Sequence, residues 1–142
     1  MLNIKRLSRG EAQAMLEAAE AKSRDMNLPM CIAVTDESGN LIAFSRMDGA
    51  KISSIRIAID KAWTAAAARN PTAFYNEVCR PGHGTFGIHV TNEGHFCIIG
   101  GGLPAVVDGQ VVGGIGVSSG TPDQDIAVAQ AGIDAFNALP KG

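Results

Sequence analysis

The sequence predicts an α+β domain in which helices flank an antiparallel sheet of five strands. Tight-turn signals at Gly39 and at Asp108-Gly109 indicate hairpins, and hairpins require antiparallel pairing. Other segments carry apolar residues three and four positions apart, which is the helical spacing. The 142 residues suit a single domain over 1–142, and a chain of this length buries roughly 68% of its unfolded surface. The predicted order is helix, two strands, helix, short helix, three strands and helix.

Start signals locate the helices. Ser8 and Glu11 form a capping box, so a first helix begins there and ends before Pro29. Isoleucines and alanines at the helical spacing predict a second helix over roughly 51–69. Asn70-Pro71 predicts a short third helix, and a second capping box at Thr121 opens the last one.

Apolar and β-branched runs locate the strands. Cys31–Asp36 and Leu41–Met47 predict the first hairpin, closed by a three-residue loop that ends on Gly39. Residues 87–91 and 95–99 predict a second hairpin. The strands on either side of Asp108-Gly109 predict a third, whose last strand continues through Val117.

Composition and charge exclude several classes of protein. The hydrophobic share of 46% excludes a disordered chain, and the net charge of −2 without a basic block argues against nucleic acid and anionic membranes as partners. No apolar run reaches the ~18 residues of a membrane span. The start lacks a signal-peptide pattern, and three widely spaced cysteines are typical of a reducing compartment, so we expect a cytoplasmic protein.

Glycines predict a surface without side chains on the last strand. Gly114 and Gly116 lie on one strand face, and Gly101 and Gly102 precede the strand's neighbour. Such a trough receives either a flat ligand or a tightly packed helix. The nearby loop places His83 between two glycines, which allow the backbone to approach a ligand closely. His83 is therefore our candidate for acid–base chemistry or for iron ligation.

The predicted hairpin over residues 87–99 gives a candidate metal site. Its register places His89 opposite Cys97, with His95 on the same face and Cβ atoms roughly 5 Å apart across the ladder. Imidazole and thiolate groups suit zinc or iron. The alternative is an ordinary polar strand face, because a register slip of one residue separates the three side chains.

Charged residues on the second helix form another candidate. Arg56 and Asp60 are partners at the i, i+4 spacing of a helix surface. Lys61 is flanked by Ala62 and Trp63, and a lysine partly enclosed by apolar groups is suited to bind a carboxylate. We find no sequence signature of a Ser-His-Asp triad or of paired catalytic carboxylates.

Five segments together resemble the GlcG/HbpS family, which also supplies the second domain of PduO-type proteins. They are AVTDESGNLIAFSRMDGA over 33–50, KAWTA over 61–65, GGGLP over 100–104 with GGIGVS over 113–118, and the final helix over 123–131. The resemblance covers nearly the whole chain. It implies a profilin-like or PAS-like fold and homo-oligomers of six or eight copies.

The resemblance also implies haem as the ligand, since some family members bind or degrade haem. On that interpretation Lys61 and Arg80 bind its carboxylates, Tyr75 and Phe86 contact its apolar face, and His83 contacts the iron. Two alternatives stay open. One is a small enzyme in which His83 moves a proton on a carboxylated or hydroxylated catabolite. The other is an accessory partner of a catabolic enzyme.

Overall fold

The computed structural model describes residues 1–141 and contains four helices and four strands there. Both predicted capping boxes are confirmed: the Ser8 hydroxyl accepts from the Glu11 N–H, and the Thr121 hydroxyl accepts from the Gln124 N–H. The elements are α1 (Arg9–Asp25), β1 (Cys31–Asp36), β2 (Leu41–Arg46), α2 (Ser53–Ala68), α3 (Thr72–Val78), β3 (Gly102–Val107), β4 (Gln110–Ser118) and α4 (Pro122–Ala138).

The strands form one antiparallel sheet in the order β2-β1-β4-β3. Two of the predicted hairpins are confirmed. Gly39 closes the first with a φ of 81°, and Asp108 and Gly109 close the last with φ values of 50° and 75°, as a type I′ turn requires. The central strands β1 and β4 meet with Ala33 opposite Gly116.

The predicted hairpin over residues 87–99 is wrong, because neither of its segments forms a strand, and the sheet has four strands rather than the predicted five. Residues 88–90 and 92–94 form short 3-10 turns whose N–H groups bond to carbonyls three residues back. The cause is local: Gly87, Asn92, Glu93 and Gly94 all have positive φ angles, between 52° and 89°. That conformation cannot continue an extended ladder.

Helices cover both faces of the sheet. α1 and α4 pack on one face, where Met15 and Phe136 join Ile32 and Ile115 in the larger core. α2 packs on the other face, where small side chains such as Ala58 and Ala62 meet Cys31 and Ala33. None of the helices within residues 1–141 has the length and apolar composition that crossing a membrane requires.

Candidate functional site

The glycine trough is filled by the protein itself. A Cβ atom added at Gly116 would lie 2.1 Å from the Ala58 carbonyl oxygen, and one at Gly114 would lie 2.5 Å from that of Ala62. The backbone of α2 therefore rests directly on β4. The expectation that these glycines face a ligand is wrong. The trough instead receives a tightly packed helix, α2.

Gly101 and Gly102 lie in the same packed layer. A Cβ at Gly101 would meet the Val117 carbonyl oxygen at 2.6 Å, and one at Gly102 would meet the Lys61 carbonyl oxygen at 2.5 Å. The Thr72 hydroxyl fixes this segment, accepting from the Gly102 N–H at 2.9 Å and donating to the Ile99 carbonyl at 2.7 Å. These two glycines also allow close packing rather than access by a ligand.

Lys61 does face a carboxylate, but the carboxylate belongs to the protein. Its side chain is 1% exposed, and Nζ donates to Asp125 Oδ2 and to the Val117 carbonyl, both at 2.9 Å. Burial raises the pKa of the Asp125 carboxyl, and the charge of Lys61 offsets part of that effect. The Gly120 N–H donates to the second carboxylate oxygen. Lys61 therefore joins α2, β4 and α4 and has no exposed surface for a ligand.

Tyr75 belongs to a buried aromatic cluster. Its ring lies edge-on to Phe96 with centroids 4.8 Å apart, and Phe96 lies edge-on to Trp63 at 6.4 Å. The Tyr75 hydroxyl accepts a hydrogen bond from the side-chain amide of Asn70. Tyr75 thus anchors α3 against the segment that follows it, while Trp63 remains half-exposed on α2.

The segment from 80 to 94, called here the loop arm, runs over the surface as successive tight turns. Arg80 to His83 form the first, in which Gly82 has a φ of 87° and the His83 N–H donates to the Arg80 carbonyl. His83 and Phe86 are exposed, and Arg80 pairs with Glu77 at 3.1 Å. Within residues 1–141 the His83 ring has no hydrogen-bond partner. The proposed roles of these three residues stay predictions.

His95 is held far more firmly than His83. Its Nδ1 lies 3.0 Å from Asp60 Oδ1, and Arg56 lies 3.8 Å from the same oxygen. The Thr64 hydroxyl donates to the His95 carbonyl at 3.3 Å and accepts from the Cys97 N–H at 2.9 Å. Two residues of α2, Asp60 and Thr64, thus hold the chain at residues 95–97, directly after the loop arm.

The predicted grouping of His89, His95 and Cys97 is not formed. It depended on a hairpin, whereas His89 lies exposed in the first 3-10 turn. Among residues 1–141 no cluster of three or more histidine, cysteine or acidic side chains is arranged to hold a metal ion. Burial also raises the pKa of the Cys97 thiol, which disfavours the thiolate form that ligates metals.

The Asp60–His95 contact is the feature that sequence reasoning missed. The spacing of Arg56 and Asp60 predicted their ion pair correctly, but His95 is 35 residues beyond Asp60. A signal did exist, since Asp60 lies on the same helix face as Trp63 and Arg56. The sequence alone could not place His95 against that face, because the contact depends on the path of the loop arm. Part of that path was wrongly predicted to be a hairpin.

Three surface grooves have volumes of about 310, 510 and 260 Å³. The largest lies between the N-terminal residues 2–5 and the β3–β4 hairpin, and the smallest lies between α3 and the start of α4. The predicted ligand residues line none of the three. These three grooves are therefore not the predicted ligand site.

The chain is similar in sequence to known proteins. The profile of a family described as "Haem degrading protein HbpS-like" matches residues 7–134. The chain belongs to this HbpS-like family. It is 38% identical over 128 residues, 90% of either chain, to an uncharacterized 15.0 kDa protein in the dhaT-dhaS intergenic region of Citrobacter freundii. The predicted resemblance is thereby confirmed.

Two crystal structures show how closely the HbpS-like fold is shared. Klebsiella pneumoniae protein ORFY is 36% identical and superimposes with a TM-score of 0.96, covering 99% of this chain and 97% of its own. The PduOC part of a PduOC–haem complex is 31% identical and superimposes with a TM-score of 0.89, covering 93% and 96%. The α+β architecture is therefore common to all three.

Proposed function

We propose that this HbpS-like protein binds haem. The observation that carries the proposal is its similarity to the chain of the PduOC–haem complex, which extends over nearly the full length of both. Bound haem supplies iron-centred redox chemistry. The protein's part is to hold the iron, the flat apolar ring and the two propionates.

Several exposed and half-exposed side chains fit those three demands. Imidazole nitrogens ligate haem iron in many proteins, and His83 and His95 both reach the surface of the segment after α3. The half-exposed Trp63 and the exposed Phe86 offer aromatic faces to a porphyrin. The exposed Arg56 and Arg80 offer guanidinium groups to propionates.

We further propose that the chain assembles into a homo-oligomer of six or eight copies, in which a second copy covers the haem. Two observations support this. The residues predicted to contact the ligand line none of the three grooves, and a drug-sized ligand normally loses most of its surface on binding. Phe86 and Val90 of the loop arm are 62% and 72% exposed.

Free thiols at all three cysteines support a cytoplasmic location.

Titration of the apo protein with hemin tests the proposal. We expect a shifted Soret band that grows to saturation at a fixed ratio of haem to protein, at micromolar protein. The matched control is the same chain unfolded in urea, which presents the same residues without the fold. Equal spectra for folded and unfolded chains would overturn the proposal.

A further inference from the structure

We propose that His95, oriented by Asp60, is the residue that ligates haem iron in this protein; this inference rests on the proposed haem-binding function. Among the three histidines of the chain, His95 has the firmest positioning contacts. Contact geometry therefore assigns the ligand to His95 rather than to His83, which the loop sequence favoured.

The hydrogen bond to Asp60 fixes the tautomer of His95. An ionised carboxylate only accepts, so the 3.0 Å contact places the ring proton of neutral His95 on Nδ1. Nε2 then keeps its lone pair. Within the described residues Nε2 has no hydrogen-bond partner, and the side chain is 36% exposed. When a histidine ligates a metal through one ring nitrogen, the N–H of its other ring nitrogen almost always donates a hydrogen bond to a carboxylate or a carbonyl. The contact between His95 and Asp60 is of this kind.

The backbone beneath the ring is also fixed. The Thr64 hydroxyl holds the chain on both sides of Phe96, through the His95 carbonyl and the Cys97 N–H. Phe96 itself is buried between the rings of Trp63 and Tyr75. The His95 N–H donates to the Asn92 carbonyl at 3.0 Å. Locked ligands of this kind lose little conformational entropy when they bind.

The helix face around Asp60 has the composition that a porphyrin needs. Residues 56, 59, 60 and 63 lie three and four apart and therefore share one face of α2. Ile59 and Trp63 are half-buried and present apolar surface on either side of Asp60. The Arg56 side chain is 66% exposed at one end of this face, where a guanidinium group can pair with a propionate.

His83 and His89 lack these features. Both are exposed in the loop arm, and neither ring has a hydrogen-bond partner among the described residues. Ring orientation at these two positions is therefore set by solvent and by the turn alone. His89 serves as the matched control, since it carries the same side chain in the same region, and His83 is the rival candidate for the iron ligand.

The experiment compares hemin binding to the wild type and to His95→Ala, His83→Ala and His89→Ala. We expect His95→Ala to lose the wild-type Soret position and to weaken hemin binding at least tenfold, whereas His89→Ala, the control, keeps both. A loss of the Soret position in His83→Ala but not in His95→Ala would assign the ligand to His83 and overturn this inference. Added imidazole should restore the wild-type spectrum to His95→Ala. His95→Gln covers the case in which the alanine variant fails to fold, because an amide N–H can replace the donor to Asp60 but cannot ligate iron strongly.

Asp60→Asn separates an orienting role from a merely structural one. A neutral amide leaves the His95 ring less basic, so the reduction potential of the bound iron should rise and hemin affinity should fall roughly 10- to 100-fold. If the wild type and His95→Ala show the same shifted Soret band on binding hemin, this inference is overturned and the proposed function stays intact. A wild type that shows no shift would overturn both.

Discussion

At the scale of single residues, the Lys61–Asp125 pair is the most consequential contact in the molecule. Both side chains are nearly inaccessible, at 1% and 3% exposure, and Nζ also donates to the Val117 carbonyl. Two buried charges are tolerated because each neutralises the other and because both form further hydrogen bonds. Removing either one therefore leaves an uncompensated charge in the interior.

We expect Lys61→Met to reduce the free energy of unfolding by about 3–5 kcal/mol at pH 7. Without Lys61, burial holds the folded-state pKa of Asp125 above its unfolded value. The folded variant then binds a proton more readily than the unfolded chain, so its stability rises as the pH falls through the folded-state pKa. The deficit should be smaller at pH 5 than at pH 7, as measured by urea unfolding.

Lys5→Met is the matched control, because Lys5 pairs with Asp108 at 2.8 Å on the surface. An exposed pair contributes roughly 0–1 kcal/mol, so this variant should unfold almost as the wild type does. Two results would contradict the role given to the buried Lys61–Asp125 pair. One is a loss of unfolding free energy in Lys61→Met no larger than that in Lys5→Met, and the other is a loss that grows as the pH falls from 7 to 5.

At the scale of elements, the packing of α2 on β4 determines the fold of this face. The glycines of β4 remove the side chains that normally separate a helix from a sheet, and the alanines of α2 do the same from the other side. The close approach brings Lys61 within reach of Asp125 and turns Asp60 toward the loop arm. The structural contacts and the candidate haem face are thus two sides of one helix.

Gly116→Ala tests this packing. The added methyl would lie 2.1 Å from the Ala58 carbonyl oxygen and 2.4 Å from the Ala62 nitrogen, so α2 would have to move away from the sheet. We expect a loss of about 3 kcal/mol or more in the free energy of unfolding, at the upper end of overpacking effects. Urea unfolding followed by circular dichroism measures it.

Gly84→Ala provides the comparison, since nothing lies within 4 Å of the added methyl and Gly84 has no positive φ. Its effect should stay within about 0.5 kcal/mol, as is usual for surface substitutions. Equal stabilities for the two variants would mean that α2 does not rest on the glycines in solution.

Local signals predicted the elements well, and non-local contacts account for the failures. The capping boxes, the two tight-turn hairpins and the α2 stripe are encoded within a few residues, and each was confirmed. Residues 87–99 have strand-like composition, but successive left-handed residues from Asn92 onward fold them into turns. The same error hid the Asp60–His95 contact, because only the three-dimensional path of the loop arm brings residues 35 apart together.

At the scale of the whole molecule, ten large apolar side chains are exposed within the described residues. Four of them, Phe74, Phe86, Val90 and Ile99, lie on α3, the loop arm and the segment after it, and the others lie in the N-terminal residues, at Leu41, at Ile52 and at Val106. Large exposed apolar side chains that cluster in one region are typical of an interaction surface. We therefore expect the proposed contact between copies of the chain to use the exposed apolar side chains of α3 and the loop arm.

Phe86→Glu tests that assembly. In solution we expect the wild type to sediment at a multiple of the 14.7 kDa chain mass, with six or eight copies, and Phe86→Glu to shift toward the mass of one chain. A buried, unpaired carboxylate at an interface costs several kcal/mol, and the cost recurs at every copy. Val106→Glu, at an exposed site on the β3–β4 hairpin, is the control and should keep the wild-type mass. Dissociation by Val106→Glu but not by Phe86→Glu would contradict this prediction and place the interface at the β3–β4 hairpin.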